Sequence, residues 1–422
     1  MRVALACFIA LLASPVLAED MPGMPGMKMP GTDAKPAMAA SGVLGNYPLT
    51  RDASGTSWQP DAATHGGIPI TDGDWMFMLH ARLTGIYDTQ SGPRGDEQVF
   101  ATGMVMAMAR RDFAGGDTLQ LRGMLSLEPL MGRRGYPLLL ASGETADGLT
   151  PLVDRQHPHD LLMELSASYS HRLSDAGSIF VYAGYPGEPA LGPTAFMHRV
   201  SGEDIPDAPI THHWLDSTHI AFGVATLGAV WQDWKLEVSR FTGREPDAFR
   251  FNFDPARFDS TSARLSWNPN ANWSLQVSGG FLKSPEQLTP AVNETRYTAS
   301  ATYFTPLAGD GSFAATLAFG RKQLSGGAGE NGFLAEAEYK PADPWTIFAR
   351  AESIESTELF AGPGLATAGQ LTLGAIHDWR LADHAKFGIG GLYAFDVVPG
   401  ARLPSYGGAP HGAMLFVRLI AE

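Results

Sequence analysis

Cysteine is almost missing from this 422-residue chain: the only one is Cys7. A disulfide framework is excluded, and so is a thiolate nucleophile or metal ligand beyond the first residues. Long apolar runs are missing as well. Past residue 18 the chain has no stretch of about 18 apolar residues, which excludes a bilayer-crossing helix. Positive charge is short, with 30 Lys and Arg against 44 Asp and Glu and a net charge of −14. That balance argues against a nucleic-acid partner, whose phosphates require basic patches. No Gly-x-Ser-x-Gly elbow occurs, and Glu164 and the histidines form no legible triad, so the sequence offers no enzyme active site.

What is present begins with Met1-Arg2, an apolar stretch over 3–12 and small residues at Val16 and Ala18. This pattern predicts a secretory signal over 1–18, cleaved after Ala18, with Cys7 inside it. Residues 19–60 follow, opening with repeated Met, Pro and Gly, and are expected to form a disordered leader in the periplasm.

From Asp74 the character changes to strict alternation. Trp75, Phe77, Leu79, Ala81, Leu83, Gly85 and Tyr87 share one face, and Met76, Met78, His80, Arg82 and Thr84 the other. An apolar face ending in aromatics, opposed to a polar one, matches the lipid side and interior of a membrane barrel. The pattern recurs over 272–283, 331–340 and 385–397, where Glu336, Glu338 and Lys340 oppose Ala335, Ala337 and Tyr339 and imply a wet lumen.

Sixteen strands are expected: 74–88, 98–110, 117–128, 160–173, 177–186, 218–231, 234–243, 259–268, 272–283, 294–305, 311–321, 331–340, 344–354, 369–380, 385–397 and 410–420. Short turns such as Gln232-Asp233 and Pro341-Ala-Asp-Pro344 alternate with long connections, of which 129–159 and 187–217 are the longest. Short periplasmic turns alternating with long external loops are the topological signature of the class. The fold class predicted is therefore all-β: a transmembrane, antiparallel, up-and-down β-barrel over 61–422 in the cell outer membrane.

Two residue groups carry metal chemistry. Met21, Met24, Met27, Met29 and Met38 crowd the leader, and thioethers are soft ligands that favour Cu(I). The bland alternative is a linker whose methionines are incidental. Seven of the twelve histidines lie between His157 and His219. Asp154-Arg-Gln-His157-Pro-His159-Asp160 and His212-His213-Trp-Leu-Asp216-Ser-Thr-His219 each place imidazoles beside carboxylates, a set suited to Cu(II), Zn(II) or Ni(II). The competing reading folds these loops into the barrel as a plug in which His and Asp hydrogen-bond each other. His80, on the lumen face beside Arg82, fits either account. Arg133, Arg134 and Arg199 are expected to neutralise acidic neighbours or lipopolysaccharide phosphates.

The signal, the Met-Pro-Gly-Met leader and the barrel together resemble the copper-resistance protein B class of outer-membrane proteins. The segments 151–160 and 213–219 are similar to an uncharacterised proteobacterial barrel family associated with metal resistance. The resemblance implies copper handling, carried over only to the leader methionines. The expected function is an outer-membrane barrel that binds or passes metal ions, copper first, with outer-membrane lipid, lipopolysaccharide and periplasmic copper-handling proteins as partners. No cofactor beyond a copper ion is called for. The alternatives are a general porin or small-solute channel, or a structural barrel.

Overall fold

The computed structural model describes residues 41–64, 66–360 and 364–422. The signal, Cys7 and the leader methionines Met21, Met24, Met27, Met29 and Met38 lie outside the described residues. In chain order the strands are β1 (Ile68–Asp72), β2 (Trp75–Gln90), β3 (Glu97–Asp112) and β4 (Thr118–Ser126), then β5 (Tyr136–Thr145) and β6 (Pro151–Gln156). Next come β7 (Leu162–Arg172), β8 (Gly177–Gly184), β9 (Val224–Trp231), β10 (Trp234–Phe241), β11 (Ser260–Asn270) and β12 (Trp273–Leu282). The last are β13 (Glu294–Pro306), β14 (Ser312–Leu324), β15 (Gly329–Lys340), β16 (Trp345–Ser356), β17 (Ala366–Ala382), β18 (Ala385–Val397) and β19 (His411–Ala421).

All but β1, β5 and β6 pair antiparallel with their neighbours, and β19 returns to β2 from Gly412↔Gln90 to Ala421↔Ala81. The result is a closed barrel of sixteen strands, as the alternation and turn phase predict. β1 prolongs the seam by pairing with Trp75–Leu79 of β2 beyond the end of β19. Closure leaves every barrel strand partnered on both edges, the condition for β-structure in hydrocarbon.

Period two sorts the side chains. On β10 Leu236 and Val238 are about half exposed on the outside, whereas Lys235 and Glu237 point inward and are fully buried. Trp231, Trp234, Trp267, Trp273 and Trp345 gather beside the short turns, with Trp234 and Trp267 stacked at 4.9 Å. An apolar outside edged by an aromatic girdle is a lipid-facing surface, and the protein is an outer-membrane barrel.

Three expectations change. The lumen is not an open wet space, because wall charges meet charges on chain folded inside. Glu336 binds Arg199, Arg350 binds Asp207 at 3.0 Å, and Asp204 accepts from Arg82 and Arg418. Residues 41–60, expected to continue the disordered leader, are ordered at the periplasmic end. There Val43, Leu44, Tyr47 and Trp58 pack on Phe180 and Val230, and Arg51 forks onto Asp61 at 2.6 and 2.7 Å. The strand expected over 218–231 starts only at Val224, because Ser217–His219 is a buried 3-10 turn of the internal loop. The inward hairpin β5–β6 was not anticipated, since its run Tyr136–Thr145 is buried on both faces and loses the alternation that marks a wall strand.

Candidate functional site: a histidine cluster in the plug

The segments 127–161 and 185–223 turn into the barrel from its extracellular end and carry all five histidines singled out by the sequence. A helical turn, His212–Leu215, places His212 and Asp216 one turn apart on a common face, and their Nδ1 and Oδ1 atoms are 2.8 Å apart. Trp214 leaves the opposite face and seats on the wall where Gly320 of β14 pairs with Gly332 of β15. A Cβ at Gly320 would stand 2.2 Å from the Trp214 carbonyl oxygen, and one at Gly332 2.7 Å from its indole. Only glycine admits the turn this close to the wall. The end of β6 delivers His157 and His159 to the same place.

The imidazoles form a continuous buried group. Ring centres are 5.1 Å apart for His159–His219, 5.2 Å for His212–His219, 5.4 Å for His212–His213 and 5.5 Å for His157–His213. Two imidazoles sharing one tetrahedral ion have ring centres roughly 5 Å apart, given metal–nitrogen bonds of about 2.1 Å. Phe196 lies against His159, His212 and His219 and closes one side.

The hydrogen bonds set the tautomers. His219 Nδ1 faces the Asp216 carbonyl oxygen at 2.8 Å, and a carbonyl only accepts, so Nδ1 donates. His212 Nδ1 donates to the Asp216 carboxylate, and His159 Nδ1 to Glu128 Oε2 at 2.9 Å. In neutral His212 and His219 Nε2 is therefore the lone-pair nitrogen, and in all three rings Nε2 is buried without a hydrogen-bond partner. Such an orphan costs about 1–3 kcal/mol when nothing compensates it. A ring held at Nδ1 by a carboxylate or carbonyl, with Nε2 free, is the arrangement of metal-binding histidine.

Electrostatics divides the five. Burial holds His157 and His219 well below the ordinary imidazole range, and burial also lowers His212 despite Asp216, so these three are neutral ligands at physiological pH. Burial opposes charge on His159 and His213 too, but Glu128 raises the first and Glu245 raises the second to about 9. His213 also joins Glu245 and Glu286 in a group whose ligand atoms all lie within 4.8 Å of one another. Burial and the Glu245 charge push Glu286 up to about 8.

Every predicted loop histidine thus joins one buried group, with His157 between the His159–His212–His219 trio and His213; among the described residues the donor atoms that converge within 4.8 Å are those of His213, Glu245 and Glu286. Sequence reasoning missed Glu128, Glu245 and Glu286. Glu245 and Glu286 lie in external connections, and Glu128 falls at the end of the strand expected over 117–128. Arg199 neutralises buried acids as expected, through Glu336 and Asp216. His171 sits instead at the periplasmic rim against Asp117 at 3.0 Å. His80 lies on the lumen face of β2, bordering a different cavity from the cluster.

No protein-family model matches this chain, and no curated protein resembles it in sequence. Solved structures do align with it. OmpF of Salmonella typhi, in complex with daunomycin, matches with 10% identity over 84% of this chain and 100% of that one, at a TM-score of 0.54. The anion-selective porin from Comamonas acidovorans matches with 12% identity over 82% and 99%, at a TM-score of 0.50. In fold, this chain is a porin-like outer-membrane barrel.

Proposed function

We propose that this porin-like barrel binds a transition-metal ion, copper first, in the loops that fill its lumen, and supports metal tolerance. The observation that carries the reading is the trio His159, His212 and His219, each anchored through Nδ1 and each with a buried, unpartnered Nε2. A bound ion would satisfy nitrogens that the protein leaves unsatisfied, and imidazole suits Cu(II), Zn(II) and Ni(II) alike. His157 and the His213–Glu245–Glu286 group supply further ligands next to the trio. The leader methionines Met21, Met24, Met27 and Met29 would capture Cu(I) on the periplasmic side.

The test is titration of Cu(II) and Zn(II) into the folded barrel in detergent. Substituting His159, His212 and His219 together by Asn should abolish tight binding. Glu128→Gln, which touches only the anchor of His159, should weaken it by about 10–100-fold. Unchanged affinity in a triple variant that still folds rejects the reading.

A general solute channel is the second reading, favoured by the fold likeness to porins. It requires the plug to leave the lumen, and single-channel recording in planar bilayers separates the two. Steady metal-independent conductance supports the channel, whereas a closed barrel supports the binding protein.

A further inference from the structure

The lumen wall of β2, β3 and β4 departs from the rest of the barrel in its chemistry. Inward positions on β11 and β13 are mostly hydroxylic or charged, as in Ser260, Ser262, Arg264 and Ser266 or Glu294, Arg296, Thr298 and Thr302, and β16 and β17 add the hydrocarbon side chains of Phe348, Ile354 and Ile376. On β2 and β3 the inward residues include Met78, Met104, Met106 and Met108, and β4 adds Met124. Six of the ten methionines beyond residue 40 lie on β2, β3 and β4, and Met163 and Met197 pack against them.

The register makes them neighbours. Met78 stands directly opposite Met108, and His80 opposite Met106, so three thioethers and an imidazole occupy the corners of one square on the lumen face. Directly paired Cβ atoms are about 4.5–5.5 Å apart. The square faces a cavity of about 90 Å³, whose lining also includes Asp52, Gln120 and Glu203. Above it, toward the extracellular end, Met106 packs against a buried group of Met104, Met124 and Met163 with Ile220, which follows His219. Met104 and Met163 in turn line a smaller cavity, of about 60 Å³, with His159 and Glu128.

Methionine serves elsewhere as a flexible core filler. A filler closes space, and here a cavity remains between thioethers and carboxylates. We propose that Met78, Met106 and Met108 form a binding site for a soft monovalent cation, Cu(I) or Ag(I), at the lower end of a thioether path leading up to the histidine cluster. Thioether sulfur selects such ions over the divalent ions that imidazole takes. The carboxylates of Asp52 and Glu203 on the same cavity offset the charge of the ion. This site uses none of the residues on which the histidine reading rests.

The experiment counts Ag(I), a redox-inert stand-in for Cu(I), retained per folded full-length chain after gel filtration in detergent. Three variants are compared with the parent: M78L/M106L/M108L, the leader with Met21, Met24, Met27, Met29 and Met38 changed to Leu, and H159N/H212N/H219N. Leu keeps the side-chain volume and removes the sulfur. The triple Leu variant should lose one equivalent of Ag(I), both alone and in the leader-Leu background, while H159N/H212N/H219N keeps that equivalent. Equal Ag(I) in M78L/M106L/M108L and its parent assigns these residues to packing and overturns the proposal. Should the triple variant not fold, M106L alone decides by the same count. Zn(II) binding measured in parallel reports the histidine cluster separately, so failure of one site does not read as failure of the other.

Discussion

Asp204 is the point where the plug is most heavily tied to the wall. Its carboxylate accepts from Arg82 of β2 and Arg418 of β19, each at 2.5 Å, and from Lys340 of β15 at 2.9 Å. Its side chain is 1% exposed. Asp204→Ala removes the one acid shared by three wall cations. Breaking a buried ion pair by deleting one partner costs about 3–5 kcal/mol, because the remaining charge stays buried. Each cation keeps a second acid here: Arg82 has Glu203 at 3.7 Å, Arg418 has Asp378 at 2.6 Å and Lys340 has Glu338 at 2.8 Å. The lower end of that range, about 3 kcal/mol, is therefore expected. At about 1.4 kcal/mol per tenfold this raises the local opening equilibrium of the segment roughly a hundredfold.

Hydrogen exchange resolved to peptides covering 200–210 measures that opening directly, and wall strands such as β13 serve as the internal control. Asp204→Ala should speed exchange in 200–210 by about two decades while β13 stays protected. Exchange in 200–210 at the parental rate would refute the idea that wall ion pairs hold the loop.

Two further outcomes follow from the same structure. Trp58→Ala empties the contact with Tyr47, at 5.0 Å, and with the Lys235 ammonium, at 4.7 Å from the indole centre. A loss of about 3–5 kcal/mol is expected for a buried Trp, enough to release 41–64 from the periplasmic mouth, which limited proteolysis from that side would detect. Val238→Arg places a cation on the lipid face of β10 and should cost about 2–4 kcal/mol if the residue lies near the bilayer midplane. Urea titration of folding into vesicles checks it, and an unperturbed midpoint would mean that this face does not meet lipid.

The barrel was legible because lipid imposes a rule that acts residue by residue. Every wall strand obeys period two, and each short turn resets it with Gly, Asp or Asn. The internal chain answers to a different rule and was read poorly. Tyr136–Thr145 is surrounded by protein, so no face of it is marked by exposure. Residues 41–60 carry Gly, Ser and Pro that suit an irregular path along a polar lumen as well as they suit disorder, and only the buried Val43, Leu44, Tyr47 and Trp58 distinguish the two. The histidines could be picked out as candidates because charge-capable rings crowd two loops. Their carboxylate partners could not, since Glu128 stands 31 residues before His159 in the same connection and Glu245 and Glu286 come from two others, which only the fold assembles.

That division bears on how the lumen is built. A plug that served only to block the pore could satisfy its polar groups in pairs, as Arg199 does with Glu336 and Asp216. The histidine cluster is built differently. In His159, His212 and His219 Nδ1 is satisfied by Glu128, Asp216 and the Asp216 carbonyl, and Nε2 is left without a partner. Phe196 shields them from water on one side, so solvent does not supply the missing bond there. Stability alone would favour replacing such rings by apolar side chains of similar size, because an unpaired buried nitrogen costs free energy that packing does not return. The proposed ion accounts for these free nitrogens, and His212 and His219 meet it as neutral rings with oriented tautomers.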